Sequence, residues 1–354
     1  MTKKKNKFNK RKNKAIEEYI EYSQTDENSS NYSFYIKILF IFFIFFILYK
    51  LNPINKINLK KNKKIEFEIK ETNKEKQFEY FCCFCVMGKN ENKYARELIS
   101  YYKDLGVEKF IIGDNNIPGG ENFTIILQDY ISNGTVDIID IIGSSISQNK
   151  FFTSMYEKYN TKCEWIAFFD FDEYLVMHFN ETKNITLREY LSNQIFNNCE
   201  SIIFNWLMHT DNDLVYYDNR PLMERFTTPN YEHWSNIYLK PIIRGNINKI
   251  IFDGKTIHHP SLNLNICDSM GVKIEYLENT LNPPRFKYAF LIHFNTKTAE
   301  EYVEKIKKGN LENRPYSDID GKIEHFFSLN KFSEEKLKLF EMKLNKTFVE
   351  FHKD

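Results

Sequence analysis

Apolar and polar positions fall along this chain in long blocks, and the block pattern changes character twice. Residues 1–31 are polar and open with the basic cluster "KKKNKFNKRKNK", whereas Phe34 to Leu51 read "FYIKILFIFFIFFILYKL", with Lys37 near the start of the run. A spanning helix needs about 20 apolar residues, and a lysine near one end can carry its charge to the interface. The run is too long and too aromatic for a signal-peptide core, and the following "YKLNPINK" offers no small-residue cleavage site. The pattern therefore predicts a basic tail over 1–31 and one uncleaved transmembrane anchor over 32–51. Lys, Asn and Glu dominate 52–76, which reads as a solvated stem.

From Phe78 the rhythm shortens. "FEYFCCFCV" reads as a buried strand. "ENKYARELISYYKDLG" sets Tyr94, Leu98, Tyr101 and Leu105 at helical spacing, and Gly106 supplies a stop. "KFIIGD" follows as a second strand, 121–132 as a helix, "VDIIDII" as a third strand, about 148–161 as a helix and "WIAFFD" as a fourth strand. Such alternation predicts an α/β fold: a doubly wound, mostly parallel sheet covered by helices, with ligands beyond the carboxyl ends of its strands. Short strands are predicted further on, at 201–206, 237–243, 248–252 and 289–294. "TKTAEEYVEKIKKG" is a helix opened by a Thr298–Glu301 capping box and stopped by Gly309, and an amphipathic helix closes the chain over about 333–351.

Composition changes this picture little. The formal net charge is +1 with 27% charged residues, so the bulk field gives no ground for a nucleic-acid partner. The six cysteines form no zinc pattern; Cys82, Cys83 and Cys85 lie in an apolar run as buried thiols. One or two disulfides fit an oxidising lumen, with the pairing unreadable from sequence. Sequons at Asn122, Asn133, Asn180, Asn184 and Asn345 weigh little in a chain this rich in Asn, and lysines on both sides of the apolar run leave its orientation unset.

The chemistry concentrates in "WIAFFDFDEYLV", Trp165 to Val176, where Asp170, Asp172 and Glu173 end a buried strand. Like charges this close repel, so a positive group must sit among them or one must hold a proton. Two carboxylates in D-x-D spacing at a strand end suit a shared Mn²⁺ or Mg²⁺, which prefers oxygen ligands and commonly bridges to substrate phosphates. Glu173 follows too closely to point the same way; it is expected to orient a ligand or bind a sugar hydroxyl.

Four blocks, in order over roughly residues 80–310, resemble the GT-A-fold glycosyltransferases of the family-2-like and family-92 group. They are "GKNENKYARELISYYKDLGVEKFIIGDNN", "QNKFFTSMYEKYNTKCEWIAFFDFDEYLV", "FNWLMHTD" and "LIHFNTKTAEEYVEKIKKG". The resemblance implies a GT-A-like transferase domain over 77–315, followed by a helical extension over 316–354. It implies metal-dependent, inverting transfer of a sugar from a nucleotide sugar, UDP-linked by expectation, to a glycan or glycoconjugate. Carried onto these positions, Lys89, Asn90 and Glu91 would face the nucleotide, Asp114 and Asn115 would hold its base or ribose, and Gln148 would join them or only start its helix. His293 would complete the metal shell of Asp170 and Asp172, with His258 and His259 as rivals. The acceptor's proton needs a base beyond the D-x-D. Asp211 is the candidate, with His209 and Asp213 as rivals and Glu173 also in the catalytic set. Trp206 is an acceptor wall or a core residue.

Two other readings remain. A D-x-D phosphatase with Asp170 as nucleophile expects the pair near the domain's start, and Thr or Val where Tyr174 stands. A non-catalytic scaffold would keep the fold without the chemistry. With the predicted span, the transferase reading implies a single-pass membrane protein, type II in the Golgi or endoplasmic reticulum, its catalytic domain lumenal.

Overall fold

The computed structural model describes residues 78–178, 185–248, 250, 252, 264–275 and 280–348. The predicted tail, anchor and stem lie outside these residues, as do His258 and His259; among the described residues no helix is long and apolar enough to cross a membrane.

The continuous apolar run at the start of the domain becomes β1 (Tyr80–Gly88), buried along almost its whole length, as a strand covered on both faces must be. Helix α1 (Asn92–Asp104) follows, burying Tyr94, Leu98 and Tyr101 at the predicted spacing and Tyr102 besides, with Leu105 buried just past its end. Next come β2 (Lys109–Asp114), the short helices α2 (Phe123–Ile126) and α3 (Gln128–Ser132), and β3 (Val136–Asp140). The single helix expected over 121–132 is thus broken at Leu127. Helix α4 (Gln148–Tyr159), capped by the Ser147 hydroxyl, leads into β4 (Cys163–Phe168). These four strands stand side by side as β3-β2-β1-β4, all parallel.

The second half departs from the doubly wound pattern. It comprises β5 (Glu173–Met177), α5 (Leu187–Leu191), β6 (Ser201–His209), α6 (Leu222–Arg225), β7 (Pro229–Asn230), β8 (Leu239–Arg244), β9 (Ile266–Asp268) and β10 (Ala289–His293). Strand β8 inserts antiparallel to both β4 and β6. Strand β6 pairs with β8 through Ser201–Asn205 and then with β10 through Trp206–Met208, while β5 runs antiparallel to β10. Two sheets therefore share β6, and the turn Phe169–Asp172 between β4 and β5 lies where the chain passes from one to the other. Joined through β6, the two make a single ten-stranded, mostly parallel sheet among the described residues, in a mixed α/β fold. The strand expected at 248–252 falls in part outside the described residues.

Three helices follow among the described residues: α7 (Ala299–Lys308), α8 (Ile319–Leu329) and α9 (Glu334–Leu344). Tyr302, Val303 and Ile306 of α7 share one apolar cluster with Ile323, Phe326, Leu339 and Phe340. The capping box forms as predicted, and Glu301 also holds Arg225 through two hydrogen bonds of 2.7 and 3.0 Å in a pair sealed from water. Disulfides join Cys83 to Cys163 and Cys199 to Cys267, so Cys83 is no free thiol; Cys82 and Cys85 are free and buried.

Candidate active site

The turn holding the paired aspartates is built from its own sequence. Phe171, the residue between them, stacks on Phe123 with ring centroids 5.2 Å apart and planes 2° from parallel. Both rings lie over Gly88 at the end of β1, where a Cβ would sit 2.8 Å from Phe123 and collide with Phe171, so the position admits only glycine without rearrangement. Turning Phe171 into the core sends its neighbours outward. The Asp170 N–H donates to Glu173 Oε2 (2.9 Å) and the Glu173 N–H donates back to the Asp170 carbonyl (3.2 Å). Glu173 therefore closes the turn from beneath. Burial pushes its carboxyl well up, Lys240 notwithstanding, and its side chain has no exposed surface from which to meet a sugar.

The two aspartates have different company. Asp170 Oδ1 accepts from Gln148 Nε2 (2.6 Å) and Oδ2 from Lys240 Nζ (2.7 Å), so Gln148 serves the turn. Asp172 faces three basic groups: His293 Nε2 lies 3.5 Å from Oδ1, and Lys297 Nζ (3.3 Å) and Lys305 Nζ (3.5 Å) lie near Oδ2. Burial alone would raise the Asp172 carboxyl; Lys297 first, then Lys305 and His293, overcome it and hold the group well below the usual carboxylate range. Burial also pushes the Lys305 ammonium down to about 8, against the pull of Asp172. The positive charge expected among the carboxylates is thus supplied by three lysines of the chain itself.

Among the described residues no group of three or more His, Cys, Asp or Glu side chains is arranged to hold a metal. The donor chemistry for Mn²⁺ or Mg²⁺ is nonetheless present at one point. Burial lowers the His293 pKa, its Nε2 lies 3.2 Å from the Asn295 side-chain nitrogen, and its Nδ1 is buried without a partner. A neutral imidazole and the ionised Asp172 carboxylate fit such a cation. Asp170 is tied to Gln148 and Lys240, so its carboxylate would have to share or give up one of those contacts to join them.

The residues expected at the nucleotide are engaged by the chain's own backbone. Around Gly309 the chain lies over the ends of β1 and β2: Lys89 Nζ donates to the Lys308 carbonyl (2.6 Å), and Asn115 donates to that of Leu311. Lys308 pairs with Glu91 and donates to the Lys89 carbonyl (2.9 Å). The Asn90 N–H donates to Asn116 Oδ1 (2.7 Å). Asp114 accepts from the Asn116 side chain (2.7 Å) and the Phe123 N–H (3.1 Å), an ordinary turn.

Asp211 is held at a separate centre, where Lys336 of α9 lies 2.7 Å from Oδ2 in a buried ion pair and Asn330 accepts from its N–H (2.6 Å). Asp213 is an exposed neighbour 3.6 Å from Lys336, and His209 is buried with Nδ1 3.0 Å from the Phe226 carbonyl. Trp206 packs its ring 4.2 Å from that of His293, joining the core to the site. Lys240, Lys297 and Lys305 are the site residues the sequence reading missed. Lys240 had one visible signal, a lone charge inside the strand "YLKPII"; the other two stand within the tail block already aligned with the family.

The model of glycosyltransferase family 92 matches residues 78–324. The chain belongs to glycosyltransferase family 92. A family 92 protein of Oryza sativa subsp. japonica is 29% identical over 109 residues, covering 30% of this chain and 18% of the relative. One of Arabidopsis thaliana is 26% identical over 130 residues, covering 36% and 22%. The matched segments thus span about a fifth of those relatives' length. Among solved structures, S. aureus TarS 1–349 in complex with UDP-GlcNAc is similar at 14% identity and TM-score 0.35, over 70% of this chain and 71% of that one.

Proposed function

We propose that this family 92 member is a membrane-anchored glycosyltransferase of GT-A type. It moves a sugar from a nucleotide sugar, UDP-linked in the first instance, to a glycan or glycoconjugate, with inversion. The observation that carries the reading is Asp172 at the seam of the two sheets, with His293, Lys297 and Lys305 converging on it. In the transfer the acceptor hydroxyl attacks the anomeric carbon while the bond to the diphosphate oxygen breaks, so negative charge grows on the leaving group. Lys297 and Lys305 are placed to meet that charge, with Asp172 orienting both ammonium groups. Lys240, Gln148 and Glu173 fix the turn. A Mn²⁺ or Mg²⁺ held by Asp172 and His293 would add Lewis-acid charge to the same phosphates. Asp211 can take the acceptor's proton only if its buried pair with Lys336 opens. The apolar run over 32–51 would anchor the domain, and two disulfides favour a lumenal, oxidising side.

The test is a panel of nucleotide sugars given to the full chain with MnCl₂, with MgCl₂ and with EDTA, reading release of nucleoside diphosphate. Turnover of at least one UDP-sugar is expected. No release from any nucleotide sugar, with phosphate released instead from simple phosphoesters, would replace this reading by the phosphatase.

A further inference from the structure

Behind the Asp172 cluster lies a cavity of about 650 Å³ that none of the roles above explains, lined by Trp234, Asn295, Lys305, Tyr316, Asp318 and His325 among others. Two of its wall residues belong to the site already described. Lys305 Nζ is 3.5 Å from Asp172, and the Asn295 amide is 3.2 Å from His293 Nε2 on one side and 3.1 Å from His325 Nε2 on the other. The cavity therefore opens against the reacting centre.

Its most informative wall is Trp234, which begins a short 3₁₀ turn, Trp234–Ile237. The side chain is 56% exposed, an unusual state for an indole. It is nevertheless held from the sides: Tyr238 at 6.0 Å and His325 at 5.9 Å meet it nearly edge-on, and His233 lies 5.5 Å away. A large aromatic surface is thus fixed in place and left bare towards a pocket whose other walls carry an acid, amines and hydroxyls. On the far side Asp318 caps α8 by accepting from the Gly321 N–H (2.8 Å), and Lys322 lies 4.4 Å from the centre of the Tyr316 ring. The volume falls in the range of small-ligand pockets. A pyranose ring suits these walls: one face of C–H bonds for the indole, and hydroxyls around its edge for the polar groups.

We propose that this cavity is the acceptor subsite and takes a pyranose residue of a glycan, its ring laid on Trp234. The proposal rests on the transferase reading for the word acceptor, but sugar binding itself does not depend on it. The full chain, purified in a detergent without a sugar headgroup, is tested for binding to galactose-, mannose-, fucose- and N-acetylhexosamine-terminated oligosaccharides by saturation-transfer NMR. A parallel thermal shift with UDP and MnCl₂ reports the donor side. The wild type is expected to bind at least one oligosaccharide class, and Trp234→Ala to weaken it roughly tenfold or more while the UDP shift is preserved. Trp234→Phe should retain most of the binding. Should Trp234→Ala fail to fold, Ser317→Trp, which fills the cavity from another wall, must abolish binding. The proposal is overturned if the wild type binds none of the oligosaccharides, if Trp234→Ala or Ser317→Trp binds as the wild type does, or if Trp234→Ala loses the UDP shift, which would assign the indole to the nucleotide. Oligosaccharide binding without any UDP shift would remove the donor reading and leave the sugar pocket standing.

Discussion

Asp114 and Asp172 look alike in sequence, each an aspartate closing or following a buried strand, and the fold treats them oppositely. At Asp114 the carboxylate is answered by neutral donors of the chain, the Asn116 amide and the Phe123 N–H, and it fixes a turn. At Asp172 it is answered by Lys297, Lys305 and His293, basic groups from β10, α7 and the link between them. A backbone N–H and a short, fully buried side-chain amide cannot reach out to meet a substrate. Ammonium groups at the end of long stems can. On the proposed reading, what separates the structural carboxylate from the chemical one is the kind of partner, and three substitutions probe such buried carboxylates.

The largest effect is expected from Asp172→Asn, which leaves the two ammonium groups without their organising charge. Nucleoside diphosphate release should fall at least about 100-fold, measured beside circular dichroism to confirm folding; activity within threefold of wild type would make Asp172 another Asp114. Next comes Asp114→Asn, whose amide would oppose the Phe123 N–H donor with its own. It should cost about 1–3 kcal/mol of stability, read as a lower denaturant midpoint, with turnover per folded molecule kept. The smallest effect concerns Glu97, a half-buried carboxylate that accepts from the Leu222 N–H (2.7 Å) and is pushed up to about 7, chiefly by burial. Its folded pKa lies above the unfolded one, so its contribution is complete below about pH 4.5 and is lost as pH rises through 7. Glu97→Gln should match the wild type in Tm at acid pH and exceed it by about 2 °C above pH 8. A gain at every pH would point to packing instead.

The parallel half of the molecule was readable because β1 and β4 are nearly solid apolar runs, β2 and β3 are short apolar segments between turn signals, and α1 and α4 carry one buried stripe. The other half was not, for reasons that differ by element. Strand β5 follows Asp172 with no turn residue to announce it, and α8 begins in "DIDGK", whose Asp and Gly look like loop. Sharing of β6 between two sheets depends on partners more than 30 residues away. At the site, the D-x-D was legible because carboxylates at a strand end are conspicuous. Its lysines were not, since in a chain with this much Lys a buried ammonium is written with the same letter as a solvated one.

Gly309 gives the arrangement a mechanical side. It adopts φ 70°, and a Cβ there would run into the Arg314 carbonyl, so this joint admits no other residue without strain. On one side of it, a single helical turn back, stands Lys305; on the other is the stretch latched to Asn115 through the Leu311 carbonyl and, more loosely, to Lys89 through that of Asn310 (3.5 Å). On the proposed donor route, over the ends of the first two strands, a nucleotide would have to lift that latch, and Gly309 is the joint at which the displacement would either stop or pass on to the ammonium beside Asp172.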